Sequence, residues 1–320
     1  MEHSASSPSP LVSIALATYN GGSFLRTQLD SLLMQDYANL EIIISDDGST
    51  DDTISIIQEY MGKDARVHFF PNEKEHGISA NFANAILHAS GEWIALCDQD
   101  DIWMPNKIST LVAQADDYDM VYHDSLFVDE DGNSLNRKIS DTLGCYTGKD
   151  PMVFLLENCI SGHACMFRRE LVPLALPFPP ARYHDWWLAF VAASRNGVFF
   201  HDEVLVHYRQ HAKSKTDILK KRSDYKHAGA LKKFEQELAW YERCASINSC
   251  IQPLLTRWVK EYRSLETRWF SPWLFQSARE HKRRLFRISG KNRWQRTKEI
   301  MAVSCGIPVR KWTLSSNFTA

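Results

Sequence analysis

Residues 11–17 (LVSIALA) are apolar almost without a break, the pattern of a strand covered on both faces in a parallel sheet. Thr18-Tyr19-Asn20-Gly21-Gly22 ends the run, and Leu25, Leu29, Leu32 and Leu33 then recur at helical spacing. A second strand is predicted over 40–45 (LEIIIS), closed by Asp46-Asp47-Gly48-Ser49. Asp51 or Asp52 starts the next helix, which carries Ile54, Ile57 and Tyr60. A short strand over 67–70, a helix over 78–89 with Phe82, Ala85 and Ile86 on one face, and a strand over 92–97 (EWIALC) follow, the last ended by Asp98-Gln99-Asp100-Asp101. Strand alternating with helix predicts an α/β fold with a mostly parallel central sheet flanked by helices. In such sheets ligands bind beyond the carboxyl ends of the strands. Three of those ends carry polar clusters here.

The middle of the chain changes character. Residues 120–128 predict one or two short strands, Asp131-Gly132 a turn, and 159–167 a strand broken at Gly162. Four prolines over 173–180 predict a loop, 186–193 a helix, and 198–208 a hairpin. From about residue 218 the pattern is helical to near the end. The expected organisation is a disordered start (1–10, rich in Ser and Pro), a catalytic domain over 11–217 and a helical region over 218–320.

Charge sharpens that division. Residues 1–219 hold 15 Lys and Arg against 31 Asp and Glu, a net −16; residues 220–320 hold 22 against 8, a net +14. Hydrophobic content of 44% with 24% charged residues is that of a soluble globular chain. No apolar run approaches the ~18 residues of a membrane span, and no secretory signal is visible. Seven cysteines without a CxxC pair imply mostly buried thiols in a reducing, cytoplasmic setting.

Four segments carry candidate chemistry. Asp98, Asp100 and Asp101 repel one another unless a cation sits among them, and carboxylate oxygens suit Mg²⁺ or Mn²⁺; the plainer alternative is a solvated acidic turn. Asp46-Asp47 at a strand end suits a base or ribose, although Asp-Gly is also a common turn. In Tyr183-His184-Asp185-Trp186-Trp187, a carboxylate beside an aromatic wall suits a general base, and a helix N-cap is the alternative. In Tyr208-Arg209-Gln210-His211, Arg suits a diphosphate and His a metal, or both are ordinary polar groups at a strand end. The chain has no GxxxxGK[ST] loop, GxGxxG fingerprint or HExxH site, which removes the common NTPase, dehydrogenase and zinc-protease readings. A nucleotidyltransferase would want Lys or Arg in a Gly-rich N-terminal loop, and ATYNGG has neither.

The succession ALATYNGG, EIIISDDGSTDDT and ALCDQDDIWMPNK resembles the inverting family-2 glycosyltransferases, over roughly residues 10–215. CDQDDIW with NCISGHACMFRREL, HDWW and YRQHAKS is most similar to the bacterial rhamnosyltransferase-type branch, which builds cell-surface polysaccharides, often from dTDP-L-rhamnose. The resemblance implies a GT-A (Rossmann-like) fold and a dTDP- or UDP-sugar donor, with a glycan or lipid-linked acceptor. It also implies roles. Thr18, Tyr19 and Asn20 line the nucleotide pocket, with Arg209 on the diphosphate, and Asp47 contacts the base. Asp98 and Asp100 form the DxD-type pair, with Asp100 the direct metal ligand, and His211 completes the metal or diphosphate site. Asp185 is the catalytic base, and 159–166 (Ser161, Gly162, His163) with Trp186 and Trp187 border the acceptor. Asp101 is an extra acid whose role the pattern leaves open. The membrane helices and QxxRW element of processive synthases are missing, which implies addition of one or a few sugars.

The basic region interleaves cations with aromatics: Trp258, Arg263, Arg268, Trp269, Phe270, Trp273, Phe275, Lys282-Arg283-Arg284, Phe286, Arg287 and Trp294. That mixture suits peripheral docking on the anionic cytoplasmic face of an inner membrane, or a helical appendage whose aromatics pack on protein. No nucleic-acid module is present, so no nucleic-acid partner is expected. A non-catalytic scaffold is the reading from another class, opposed by the intact set of acidic positions.

Overall fold

A computed structural model describes residues 9–115, 117–211 and 229–306. The disorder expected over 1–8, the boundary expected at 217/218, and tail residues 218–228 and 307–320 lie outside the described residues. The chain forms two compact units: Met1–Ile139, Ile160–Phe178 and Phe199–Arg209, and Ser140–Cys159, Pro179–Val198 and Gln210–Ala320.

The first unit is α/β. Its elements are β1 (Val12–Thr18), α1 (Gly22–Leu33), β2 (Leu40–Asp46), α2 (Thr53–Lys63), β3 (Val67–Pro71), α3 (Ile78–His88), β4 (Trp93–Cys97), β5 (Ile102–Trp103), α4 (Lys107–Ala113), β6 (Met120–Val128), β7 (Ser134–Lys138), β8 (Cys165–Arg168), α5 (Val172–Ala175) and β9 (Val198–Arg209). The sheet runs β3-β2-β1-β4-β8-β6-β9-β5, with β7 beside β6. β3, β2, β1 and β4 are parallel, and β8 then runs antiparallel to β4, so the sheet is mixed. Thr18 lies opposite Asp46, and Leu16 opposite Cys97, so the ends of β1, β2 and β4 emerge side by side. Val12, Ile14, Leu16, Ile42, Ile44 and Ala95 form the inner layer, and α1 covers it with Leu25, Leu29 and Leu32.

Several sequence expectations change. The hairpin expected over 198–208 is one strand, β9: Asp202-Glu203 looks like a turn, but both side chains are exposed, and Glu203 pairs with His201 at 3.2 Å and accepts from Asn106. The strand expected over 159–167 shrinks to β8, preceded by a 3₁₀ turn at Gly162–Ala164. Inside the expected proline loop, Pro173 sits in the first turn of the short helix α5, where a missing N–H is harmless.

The second unit is helical, with α6 (His184–Ala193), α7 (Ala230–Ala245), α8 (Gln252–Ser264), α9 (Pro272–Glu280), α10 (Lys282–Leu285) and α11 (Arg293–Ser304). Trp240 on α7 is fully buried, edge-on to Trp187 and Phe190 of α6, and its Nε1 donates to the Leu155 carbonyl at 2.8 Å. α7 and α8 zip through Phe234 stacked on Tyr262 and Tyr241 against Trp258. Asn292 starts α11 with a capping box to Gln295. The tail's aromatics therefore divide: Trp258 and Phe286 are core, while Trp269 and Trp294 remain 66% and 65% exposed. Among the described residues no helix is long and apolar enough to cross a membrane.

Candidate active site

The β1 end and the β2 end are knitted into one surface. Asp46 is buried and accepts from the Gly48 and Ser49 amides, the Ser49 hydroxyl and Thr18 Oγ1 at 2.6–3.0 Å. Asp46 and Thr18 thus shape the floor. Asn20, at φ 49°, receives the Thr50 amide on Oδ1 and donates its own N–H to Ser49 Oγ. Asp47 lies on the outer side: Oδ1 accepts from Asn72 Nδ2 and meets His76 Nδ1 at 3.0 Å, and Oδ2 accepts from the Gly77 amide. Tyr19 leaves its ring 54% exposed at the strand end.

Gln99 joins this loop to the acidic segment. Its Oε1 accepts from the Tyr19 amide at 2.8 Å, and its Nε2 donates to the Tyr19 carbonyl at 3.1 Å. Gly21 makes room: a Cβ there would lie 2.2 Å from Gln99 Oε1. Neither residue was singled out from sequence, although a lone amide among three acids is a signal.

At the β4 end, Asp98, Asp101 and His163 bring one potential ligand atom each within 4.8 Å of one another. His163 Nδ1 is 3.9 Å from Asp98 Oδ2 and 4.0 Å from Asp101 Oδ2. Its Nε2 meets Ser125 Oγ at 2.9 Å, and its ring stacks on Tyr208, so the ring is held from behind. Asp101 is fully buried; Oδ1 accepts from the Arg209 amide, and Oδ2 lacks a hydrogen-bond partner among the described residues. Burial, then the neighbouring Asp100 and Asp98, push its carboxyl well above the ordinary range. Burial, then Lys107, holds His163 down to about 3, leaving the neutral imidazole that metals bind. Two carboxylates, a neutral imidazole and a buried oxygen lacking a hydrogen bond fit a divalent cation. The nitrogen favours Mn²⁺ over Mg²⁺.

Asp100 and His211 are not in this cluster. Arg209 turns inward: Nε donates to the Asp100 carbonyl at 2.8 Å, and Nη1 donates to the Glu130 carbonyl. Lys107 is fully buried behind the cluster, its ammonium 3.2 Å from the Trp103 ring centre and donating to the His163 carbonyl at 2.6 Å. Desolvation lowers its pKa to about 7. Lys107 thus braces the turn Gly162–Ala164, which carries Gly162 and His163 and follows the partly exposed Ser161.

In the second unit, Asp185 is the second residue of α6. The cap position belongs to Tyr183, so the N-cap alternative does not hold for Asp185. A carboxylate in a helix's first turn is favoured by the helix dipole, and its Oδ1 accepts from the Trp186 amide at 2.6 Å. Trp187 is fully buried, while Trp186 is partly exposed and donates from Nε1 to the Phe154 carbonyl.

Comparison with known proteins agrees with this architecture. The family model for Glycosyl transferase family 2 matches residues 13–173. A Rickettsia prowazekii protein described as an uncharacterized glycosyltransferase is 31% identical over 240 residues, covering 72% of this chain and 74% of that one. An Escherichia coli UDP-Glc:alpha-D-GlcNAc-diphosphoundecaprenol beta-1,3-glucosyltransferase is 29% identical over 187 residues, covering 57% and 70%. The solved structure of S. aureus TarS residues 1–349 with UDP-GlcNAc superposes with a TM-score of 0.57 at 15% identity, covering 78% of this chain and 70% of that one.

Proposed function

This chain belongs to glycosyl transferase family 2, and on that footing we propose that it moves a hexose from a UDP- or dTDP-activated donor to a hydroxyl of a lipid-linked glycan, inverting the anomeric carbon. The observation that carries the reading is the Gln99 clamp, which sets the Asp98/Asp101/His163 cluster beside the Thr18–Asn20 loop. A nucleotide on that loop has its diphosphate reach toward the acidic cluster. The exposed Tyr19 ring offers a stacking face to the base, and Asp47 exchanges one of its loop hydrogen bonds for the base N–H. Asp98, Asp101 and His163 hold the cation, with Asp100 next to them. Bound there, Mn²⁺ or Mg²⁺ supplies charge stabilisation for the departing diphosphate. Asp185 takes the proton from the acceptor hydroxyl, so that the oxygen attacks from the face opposite the leaving group. Ser161 and Gly162 border the acceptor.

The relative from E. coli uses UDP-Glc and a diphosphoundecaprenol-linked acceptor by its description, which supports a UDP-hexose and a lipid-linked glycan. The CDQDDIW and HDWW motifs support dTDP-L-rhamnose instead. Calorimetric titration of UDP, dTDP and GDP, with and without Mn²⁺, separates them. Metal-dependent binding of UDP or dTDP, lost in Asp98→Ala, is expected and selects the donor for turnover assays. A folded protein that binds none of the three would remove the transferase reading and leave a scaffold.

A further inference from the structure

The described tail buries most of its aromatic residues but leaves two tryptophans exposed, Trp294 on α11 and Trp269 in the segment paired with the end of α11. On α11, Ile300, Val303 and Ser304 face inward, while Trp294, Lys298 and Met301 follow one another along the outer face. Met301 is 41% exposed, and the Lys298 ammonium lies 4.3 Å from the Trp294 ring centre. At the C-terminal end of α11 the backbone pairs with the segment carrying Trp269. Ser271 N–H donates to the Ser304 carbonyl, and Gly306 N–H donates to the Trp269 carbonyl, both at 2.9 Å. Trp294 thus stands exposed in the first turn of α11, and the exposed Trp269 belongs to the strand-like segment bonded to the C-terminal end of the same helix.

The charge around it is predominantly positive, with Glu299 the one acid on α11 and paired with Lys291. Between Glu280 and Glu299 there are eight Lys and Arg and no Asp or Glu. Arg284 is tied to Asp150, and Lys291 to Glu157 and Glu299. Lys282, Arg283, Arg287, Arg293 and Lys298 have exposed side chains. Indole rings partition to the boundary between headgroup and acyl chain, and Lys and Arg beside them meet anionic headgroups. A basic helix with one exposed indole in its first turn and another beside its C-terminal end, too short to span a bilayer, matches a surface that lies in the plane of the lipid boundary.

We propose that the outer face of α11, with Trp269 beside its C-terminal end, seats this protein on an anionic phospholipid surface. The docking rests on these side chains alone and is read without turnover, so it stands or falls separately from the transfer reaction.

The test is co-sedimentation of the full chain with phosphatidylcholine vesicles with and without phosphatidylglycerol. Binding is expected only with phosphatidylglycerol, weakening as salt rises. The double variant W269A/W294A is expected to bind about tenfold or more weakly. Its melting curve and its turnover with a water-soluble acceptor should match wild type, because both side chains are exposed. R293E/K298E is expected to lose the preference for anionic vesicles. Equal pelleting with neutral and anionic vesicles overturns the proposal, as does W269A/W294A binding like wild type. So does a concentration-dependent dimer that W269A/W294A dissolves, which would make the face a contact between two copies. Wild-type pelleting by a protein that turns over no donor would leave the docking intact and remove the transferase reading.

Discussion

Burying the Asp101 carboxylate with one oxygen lacking a hydrogen bond is destabilising by about 1–3 kcal/mol or more, and a cation removes that penalty. Asp101→Asn keeps the acceptor for the Arg209 amide and deletes the charge. The metal-free variant is therefore expected to melt higher than wild type, and the upward shift that Mn²⁺ gives wild type should vanish. A lower melting point with an intact Mn²⁺ shift would make Asp101 purely structural. Gly21→Ala pushes a methyl into the Gln99 amide, whose tip can swing away. Folding should change little, but the Tyr19 clamp opens, so nucleotide affinity should fall about tenfold by calorimetry, or ~1.4 kcal/mol. At this scale the sequence showed acids at a strand end but not which of them meet. Asp98, Gln99, Asp100 and Asp101 are neighbours in sequence, and His163, the partner that sets Asp98 and Asp101 apart from Asp100, precedes β8, which lies between β4 and β6.

Among elements, the parallel half was legible because β1, β2 and β4 are buried along nearly their whole length and end at polar clusters. β9 was not, because exposed Asp202-Glu203 imitates a turn. Nor was the assembly of the second unit, which draws Ser140–Cys159 and α6 together with the C-terminal helices through contacts far apart in sequence. Trp240 is the hub of that assembly, packed on Trp186, Trp187 and Phe190. Trp240→Ala should destabilise the helical unit by about 3–5 kcal/mol in urea unfolding, and a change under ~1 kcal/mol would show that the hub is dispensable. Asp185 opens α6 with its carboxylate at the first turn, and Asp185→Asn can keep that backbone acceptor. It is expected to lower kcat by about 10²–10⁴-fold while donor affinity stays within a factor of about two. Near-normal turnover would take the base role away from it.

For the molecule as a whole, buried histidines set an acid limit. Burial holds His184 and His163 down to about 3 and His123 well below its ordinary value. Between ~6.5, the unfolded value, and ~3, the unfolded chain binds more protons than the folded one, so stability falls as pH drops through that window. At pH 5 His163 and His184 each cost about 2 kcal/mol. Asp101, raised by burial, acts in the opposite sense: its contribution falls as pH climbs above ~3.8. Urea unfolding at pH 7.5 and pH 5 should show lower stability at pH 5 from His163 and His184; equal stabilities would contradict their burial. The charge division seen in the sequence, −16 over residues 1–219 and +14 after them, reappears in the structure as acids at the strand ends and cations along α10 and α11. Lys107 carries one more consequence. An amine with a pKa of about 7 is strongly nucleophilic at neutral pH, yet Trp103 and the Gly162–Ala164 turn wall it off. An acylating reagent that marks the surface lysines within minutes will spare this one until the turn lifts. The rate at which Lys107 becomes labelled is then a clock for the opening of the fold behind its acidic cluster, and a donor that tightens the cluster will slow it.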